Sequence, residues 1–176
     1  MSNSYVPYAG KLSDIRRNKG DIRFMDKKVS DSMVEIAHVV RPTDLNSAKR
    51  LFGGTLMAWI DEAAVIVAKR HANMNVTTAS VDNLSFLSAA RMRDVIVIIG
   101  KITYVGNTSM EIKVESFVEH ISGDRELVNR AYLTMVGLDD DGKPAKLPGL
   151  VLESEEEIEE NELARKRREL RRQMGR

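Results

Sequence analysis

At 176 residues the chain can bury one core with extensions at its ends, and a formal net charge of +1 gives it no overall electrostatic reason to seek nucleic acid or an anionic membrane. It has no cysteine, which excludes disulfides, thiolate nucleophiles and thiolate metal sites, and suits a reducing compartment. No charged-then-apolar leader opens it and no apolar run approaches the ~18 residues of a membrane span. A soluble cytoplasmic protein is expected, with neither nucleic acid nor membrane as partner.

Residues 1–28 carry seven basic and three acidic side chains among scattered apolar ones, with no period, and read as an arm. The run SMVEIAHVV, Ser32 to Val40, is β-branched and stops at Arg41-Pro42, where the proline forces an extended residue before it. A polar loop, PTDLNSAKRL, leads to Gly53-Gly54 and one long apolar helix to about Ala72. Beyond Asn73 come VTTASVDNLSF, DVIVIIGKITYVG, SMEIKVESFVEH and ELVNRAYLTMVGL, which predict four strands in an antiparallel meander. In the third of these Met110, Ile112, Val114 and Val118 alternate with Glu111, Lys113, Glu115 and Glu119, so one sheet face is expected to be wet. The run Val95 to Ile99 is apolar on both faces, as suits an interior strand or a subunit contact.

DDDGKP, Asp139 to Pro144, closes this unit, giving a core domain over residues 29–145 and a tail over 146–176. The tail places seven acids between Glu153 and Glu162 ahead of seven bases between Arg165 and Arg176. That order complements a helix dipole and predicts a solvated surface helix, useful for solubility or partner contacts, or else a basic functional patch.

A strand, a long helix and four more strands make an α+β fold, and a helix apolar around most of its girth must be wrapped by a curved sheet. At the helical angle Thr55, Glu62 and Lys69 share one stripe, whereas Asp61 shares the apolar one with Met57, Ala64, Val65 and Ala68. A carboxylate there must find partners. Asp61 either caps a neighbouring backbone group, faces a subunit boundary, or serves as a base. Gly53-Gly54, two turns earlier, lets a ligand approach free backbone N–H groups at the positive end of the helix dipole, a site for a carbonyl oxygen gaining charge.

The segments DLNSAKRLFGGTLMAWIDEAA, AKRH, VTTASVDNLSFLS, GNTSMEI and LPGLVLESEEEIEE, which together span roughly Arg41 to Glu160, resemble the hotdog-fold acyl-CoA thioesterases, in the branch of the cytosolic and brain-type hydrolases and their small bacterial relatives. The resemblance implies a five-stranded antiparallel sheet around a central helix, with two protomers joining sheets in a homodimer and three dimers forming a hexamer. It implies acyl-CoA as the substrate, hydrolysed to fatty acid and coenzyme A without a metal or other cofactor. It casts Asp61 as general base or nucleophile, Asn46 as the residue that places the carbonyl or water, and Thr78 as a hydrogen-bonding hydroxyl. Relatives usually carry a small residue or glycine where this chain has Lys49, a proline at Ala89 and a glycine at Arg93. Arg91 and Arg93 either meet the phosphates of coenzyme A or are exposed turn charges. Phe86 is a core residue or an acyl contact, and Trp59 a core residue. His38, His71 and His120 lack metal-ligand spacing. A non-catalytic hotdog sensor of acyl-CoA is the rival reading, but residues 1–28 are too short for a DNA-reading domain. A hotdog dehydratase would need a histidine nearer the helix start than His71.

Overall fold

The computed structural model describes residues 25–174, so the arm expected over residues 1–28 lies, up to residue 24, outside the described residues. A two-residue strand β1 (Lys27–Lys28) runs into one helical turn α1 (Val29–Ser32), which the sequence reading did not anticipate. Then follow β2 (Val34–Val39), the 3-10 turn Pro42–Asp44, and the long helix α2 (Gly53–Ala72). Four long strands come next: β3 (Asn75–Phe86), β4 (Val95–Val105), β5 (Ser109–Glu119) and β6 (Arg125–Leu138). The short β7 (Leu150–Val151) pairs in parallel with β1, and α3 (Glu155–Gln173) closes the described chain.

The five long strands form one antiparallel sheet in the order β2-β4-β5-β6-β3. Only β4, β5 and β6 form the expected meander. The strand after the helix, β3, pairs with β6 at the far edge, not with its successor β4. Strand spans follow from local alternation, but the choice of neighbour rests on how the sheet wraps the helix. β4 is interior, between β2 and β5, and its successive residues Ile96, Val97 and Ile98 are all buried, so both of its faces are covered there.

The sheet curves around α2, the arrangement the hotdog resemblance implies. The buried stripe Leu56, Ile60, Ala63, Ala64, Val67 and Ala68 of α2 packs on Ile96, Ile98, Ile112, Leu133 and Met135 from the strands. Small side chains on the helix let it sit low. Gly100 in β4 marks the closest approach: a Cβ there would lie 2.9 Å from Val67 Cγ2 and 3.1 Å from Val34 Cγ1. Asn73, left-handed at φ 53, ends the helix by donating its N–H to Lys69 O.

The far face of the sheet is not uniformly wet. Ser154 caps α3, its Oγ accepting from Glu157 N at 3.2 Å, and the acid-rich first turn suits the helix dipole. The helix then lies against the sheet instead of standing free in solvent. Ala164 and Asn161 are buried, Asn161 Nδ2 donates to Thr103 O at 2.7 Å, and Glu111 beneath the helix is only 1% exposed. The expected surface helix is there, with most of its side chains exposed, but it packs on the sheet along one side, and the expected wet face around Glu111 is corrected by this contact. Arginines from α3 reach down to neutralise the acid, so a polar alternation in β5 conceals a buried site.

Candidate active site

Asp61 sits on α2 where the buried stripe meets its exposed flank: Ile60 and Ala64 are buried, Glu62 and Met57 exposed. The carboxylate is half-buried. Thr78 on β3 faces it across the sheet–helix gap, donating from Oγ1 to Asp61 Oδ1 at 2.6 Å, with Met135 Sδ 3.5 Å from the same hydroxyl. Among the described residues its carboxylate accepts from no backbone N–H. Among the described residues Asp61 Oδ2 has no partner, so one carboxylate oxygen is held and the other is free to accept a proton. A half-desolvated carboxylate oriented this way is a suitable general base for a water.

Thr78 owes its aim to an irregularity. Pairing of β3 with β6 runs Thr78 to Met135 and resumes at Ser80 with Thr134, so Ala79 is a bulge. The bulge keeps Thr78 on the helix side while Ser80 joins Thr134 on the outer side.

The second group of residues lies at the other end of α2. The helix starts at Gly53 after Phe52, with no side-chain cap. Among the described residues the N–H groups of Gly53, Gly54 and Thr55 find no acceptor; the first one used is Leu56 N, bonded to Phe52 O at 3.1 Å. A pocket of about 240 Å³ opens here, lined by Asn46, Arg50, Gly53, Leu56, Phe86 and Val128 among others. A Cβ on Gly53 would meet Phe86 Cζ at 3.1 Å, and one on Gly54 would meet Phe52 Cε1 at 2.6 Å. Glycine keeps the helix start open to a ligand. Asn46 Oδ1 accepts from Ala48 N at 2.9 Å and Arg50 N at 3.2 Å, which fixes its loop and leaves the amide NH₂ to donate.

The structure brings Asn46, Gly53 and Phe86 to one pocket and Asp61 with Thr78 to another place. Eight residues of helix separate Gly53 from Asp61, a rise of about 12 Å. Arg91 and Arg93 do not line the Asn46 pocket. Arg91 N is bonded to Asp94 Oδ2 at 2.7 Å, and Arg93 borders a different hollow with Glu119 and His120. Arg50, which the sequence reading passed over, is the arginine at the pocket. Its signal was position alone, four residues after Asn46. Lys49 and Arg93 both sit at positive φ, 56 and 75. His38 stacks flat on Trp59 with centroids 4.3 Å apart, and His71 is buried with Nε2 3.2 Å from Pro148 O. No group of three His, Asp or Glu among the described residues is placed to hold a metal.

Residues 48–122 match the model of the thioesterase superfamily. An uncharacterized acyl-CoA thioester hydrolase of Bacillus subtilis is 43% identical over 120 residues, 68% of this chain and 70% of that one. The cytosolic acyl coenzyme A thioester hydrolase of Rattus norvegicus is 39% identical over 132 residues, and the match spans 35% of its length. The solved acyl-CoA hydrolase of Staphylococcus aureus, in complex with butyryl coenzyme A, coenzyme A and coenzyme A disulfide, superposes with a TM-score of 0.80 at 37% identity, covering 84% of this chain and 91% of that one. Three further structures of that enzyme are alanine variants of an asparagine, an aspartate and a threonine, separated in its numbering by 15 and 17 residues. Asn46, Asp61 and Thr78 stand at the same separations. An apo-hexameric acyl-CoA thioesterase superposes with a TM-score of 0.82 at 36% identity, covering 86% of this chain and 98% of that one.

Proposed function

Since the chain belongs to the thioesterase superfamily, among the acyl-CoA thioester hydrolases, we propose that it hydrolyses acyl-CoA and that Asp61 is its general base. The observation that carries this is the pair itself, with Thr78 Oγ1 2.6 Å from Asp61 Oδ1 and Oδ2 left open. Asp61 takes a proton from water as the oxygen attacks the thioester carbonyl carbon. The carbonyl oxygen becomes an oxyanion, and the free N–H groups at the start of α2 and the Asn46 amide are the donors that receive it. Collapse breaks the carbon–sulfur bond, and Asp61 returns its proton to the departing thiolate. Fatty acid and coenzyme A leave, and no cofactor enters the scheme. Phe86, Leu56 and Val128 offer the acyl chain an apolar wall.

Donors and base lie about 12 Å apart along one helix, too far to serve one carbonyl. We therefore assign each site to two protomers, the Asn46 loop and α2 start of one facing Asp61 and Thr78 of its partner. Among the described residues the outer edge of β3 pairs with no strand, and Met57 and Val81 at 43% exposure and Phe86 at 53% lie exposed on α2 and β3. An open edge flanked by apolar side chains favours strand addition by a second copy. Three such dimers in a hexamer, in the cytoplasm, complete the reading; no helix among the described residues is long and apolar enough to cross a membrane.

The test is Asp61→Asn, which keeps shape and removes the base. Turnover of acyl-CoA, followed by free thiol release, is expected to fall at least ~10²-fold in kcat while binding of coenzyme A persists. Near-normal turnover removes Asp61 from the role. A wild-type protein that binds acyl-CoA and never releases thiol is a sensor instead.

A further inference from the structure

On the face of the sheet opposite α2, Glu111 of β5 collects one connected set of bonds. It accepts from Arg167 Nη2 at 2.8 Å, Arg167 Nε at 3.2 Å and Thr103 Oγ1 at 2.9 Å on one oxygen, and from Arg171 Nη1 at 3.1 Å on the other. The same Arg171 Nη1 lies 3.0 Å from Asp82 Oδ2 on β3. One guanidinium on α3 thus ties the edge strand to a strand two places inward, over the top of β6.

The place on β3 where it does so matters. Pairing with β6 breaks between Thr78 and Ser80 and again between Asp82 and Ser85. Ser80, Val81 and Asp82 form an island paired to Thr134, Leu133 and Tyr132, with an irregularity at each end. Thr78 borders that island. Register yields most easily at such breaks, and a slip of one residue would turn every side chain to the opposite face. Among the described residues no strand pairs with the outer edge of β3. Among the described residues the Asp82–Arg171 contact is the one ion pair that β3 makes, and both side chains are under a fifth exposed, so water screens it little.

We propose that Arg171 is a positioning residue for hydrolysis: by tying Asp82 to Glu111 it locks the island of β3 and so holds the Thr78 hydroxyl on Asp61. This rests on the reading of Asp61 and Thr78 as the reacting pair. Arg171 touches neither of them; it acts through the strand.

The experiment measures kcat and KM for acyl-CoA by thiol release in the full chain. Arg171→Leu and Asp82→Asn are each made alone and again in a Thr78→Ala background. Asp82→Asn leaves the Arg171–Glu111 contact in place, so it tests the tie even if Arg171→Leu does not fold. In the wild-type background each is expected to lower kcat about tenfold with KM within about twofold, the scale of one lost oriented hydrogen bond. In the Thr78→Ala background neither lowers kcat by more than about twofold, because the group they position is gone. Equal losses in both backgrounds, or unchanged kcat in the wild-type background, overturn the proposal. So does a Thr78→Ala protein with normal kcat. If Asp61→Asn and Thr78→Ala are crippled while Asp82→Asn is not, only the clamp fails; if Asp61→Asn is unaffected, the underlying reading fails.

Discussion

Removal of residues 153–176 takes α3 away and leaves Glu111 beneath nothing. The acid is 1% exposed in the intact chain, where Arg167 and Arg171 cover it. Stripping the partners from a buried charge costs about 3–5 kcal/mol, to which the lost Asn161–Thr103 bond adds about 1. Water reaching the uncovered strand recovers part of that, so a net loss of about 4 kcal/mol is the working value. For a domain of this size each kcal/mol moves the midpoint by about 2–4 °C, so Tm should fall by roughly 8–16 °C. Thermal unfolding at one fixed protein concentration measures this, with Glu111→Gln as the discriminating arm. In the full chain that substitution takes a charged partner from Arg167 and Arg171, which keep only Glu160 and Asp82, and should lower Tm; in the truncated chain it removes the uncovered charge and should raise it. A truncated protein melting within about 2 °C of the full chain, or a Glu111→Gln effect of the same sign in both, refutes the buried-charge reasoning.

The shared site makes a prediction about mixtures: Asn46→Ala and Asp61→Ala chains, each nearly inactive, should regain roughly a quarter of wild-type activity when unfolded and refolded together, since half the dimers are mixed and each holds one intact site. Native mass spectrometry verifies the mixed dimers, and no recovery in their presence disproves sharing. His71 makes a prediction about pH. Burial holds its imidazole pKa below the usual histidine value, although the Pro148 carbonyl pulls the other way. The unfolded chain therefore binds the proton more readily, so the stability that neutral His71 supplies is complete above about pH 6.5, the unfolded value, and is lost as pH falls from there through the lower folded value. The urea midpoint should drop between pH 8 and 5.5, and by less in His71→Gln; equal slopes in the two proteins exclude the histidine as the cause.

Much of the architecture was legible because it is local. The helix from Gly53 to Ala72 announces itself by small and apolar residues without a proline, and all five long strands lie where alternation or β-branching places them. The order of the strands was not legible. Nothing in VTTASVDNLSF distinguishes a strand that pairs with β4 from one that crosses to β6, because both partners offer an apolar inner face to continue. Glu111 was hidden for a related reason: in β5 it occupies the same phase as Glu115 and Glu119, and only the helix lying above it separates a buried acid from two more exposed ones. For the site, Asp61 stood out as an acid on an apolar stripe, and Asn46 and Thr78 came from resemblance. The hydrogen bond between Thr78 and Asp61 depends on the bulge at Ala79, and a bulge leaves no mark in an alternating sequence.

Lys49 and Arg93 hold left-handed backbone at φ 56 and 75, in the loops on either side of the pocket that Asn46 lines, a conformation that glycine adopts most readily. A side chain in that conformation costs on the order of 1 kcal/mol relative to glycine, so each loop is sprung by about that much. The molecule therefore stores strain in two turns at the rim of this pocket, and a glycine in either place would release that strain while giving the unfolded chain more freedom to lose on folding.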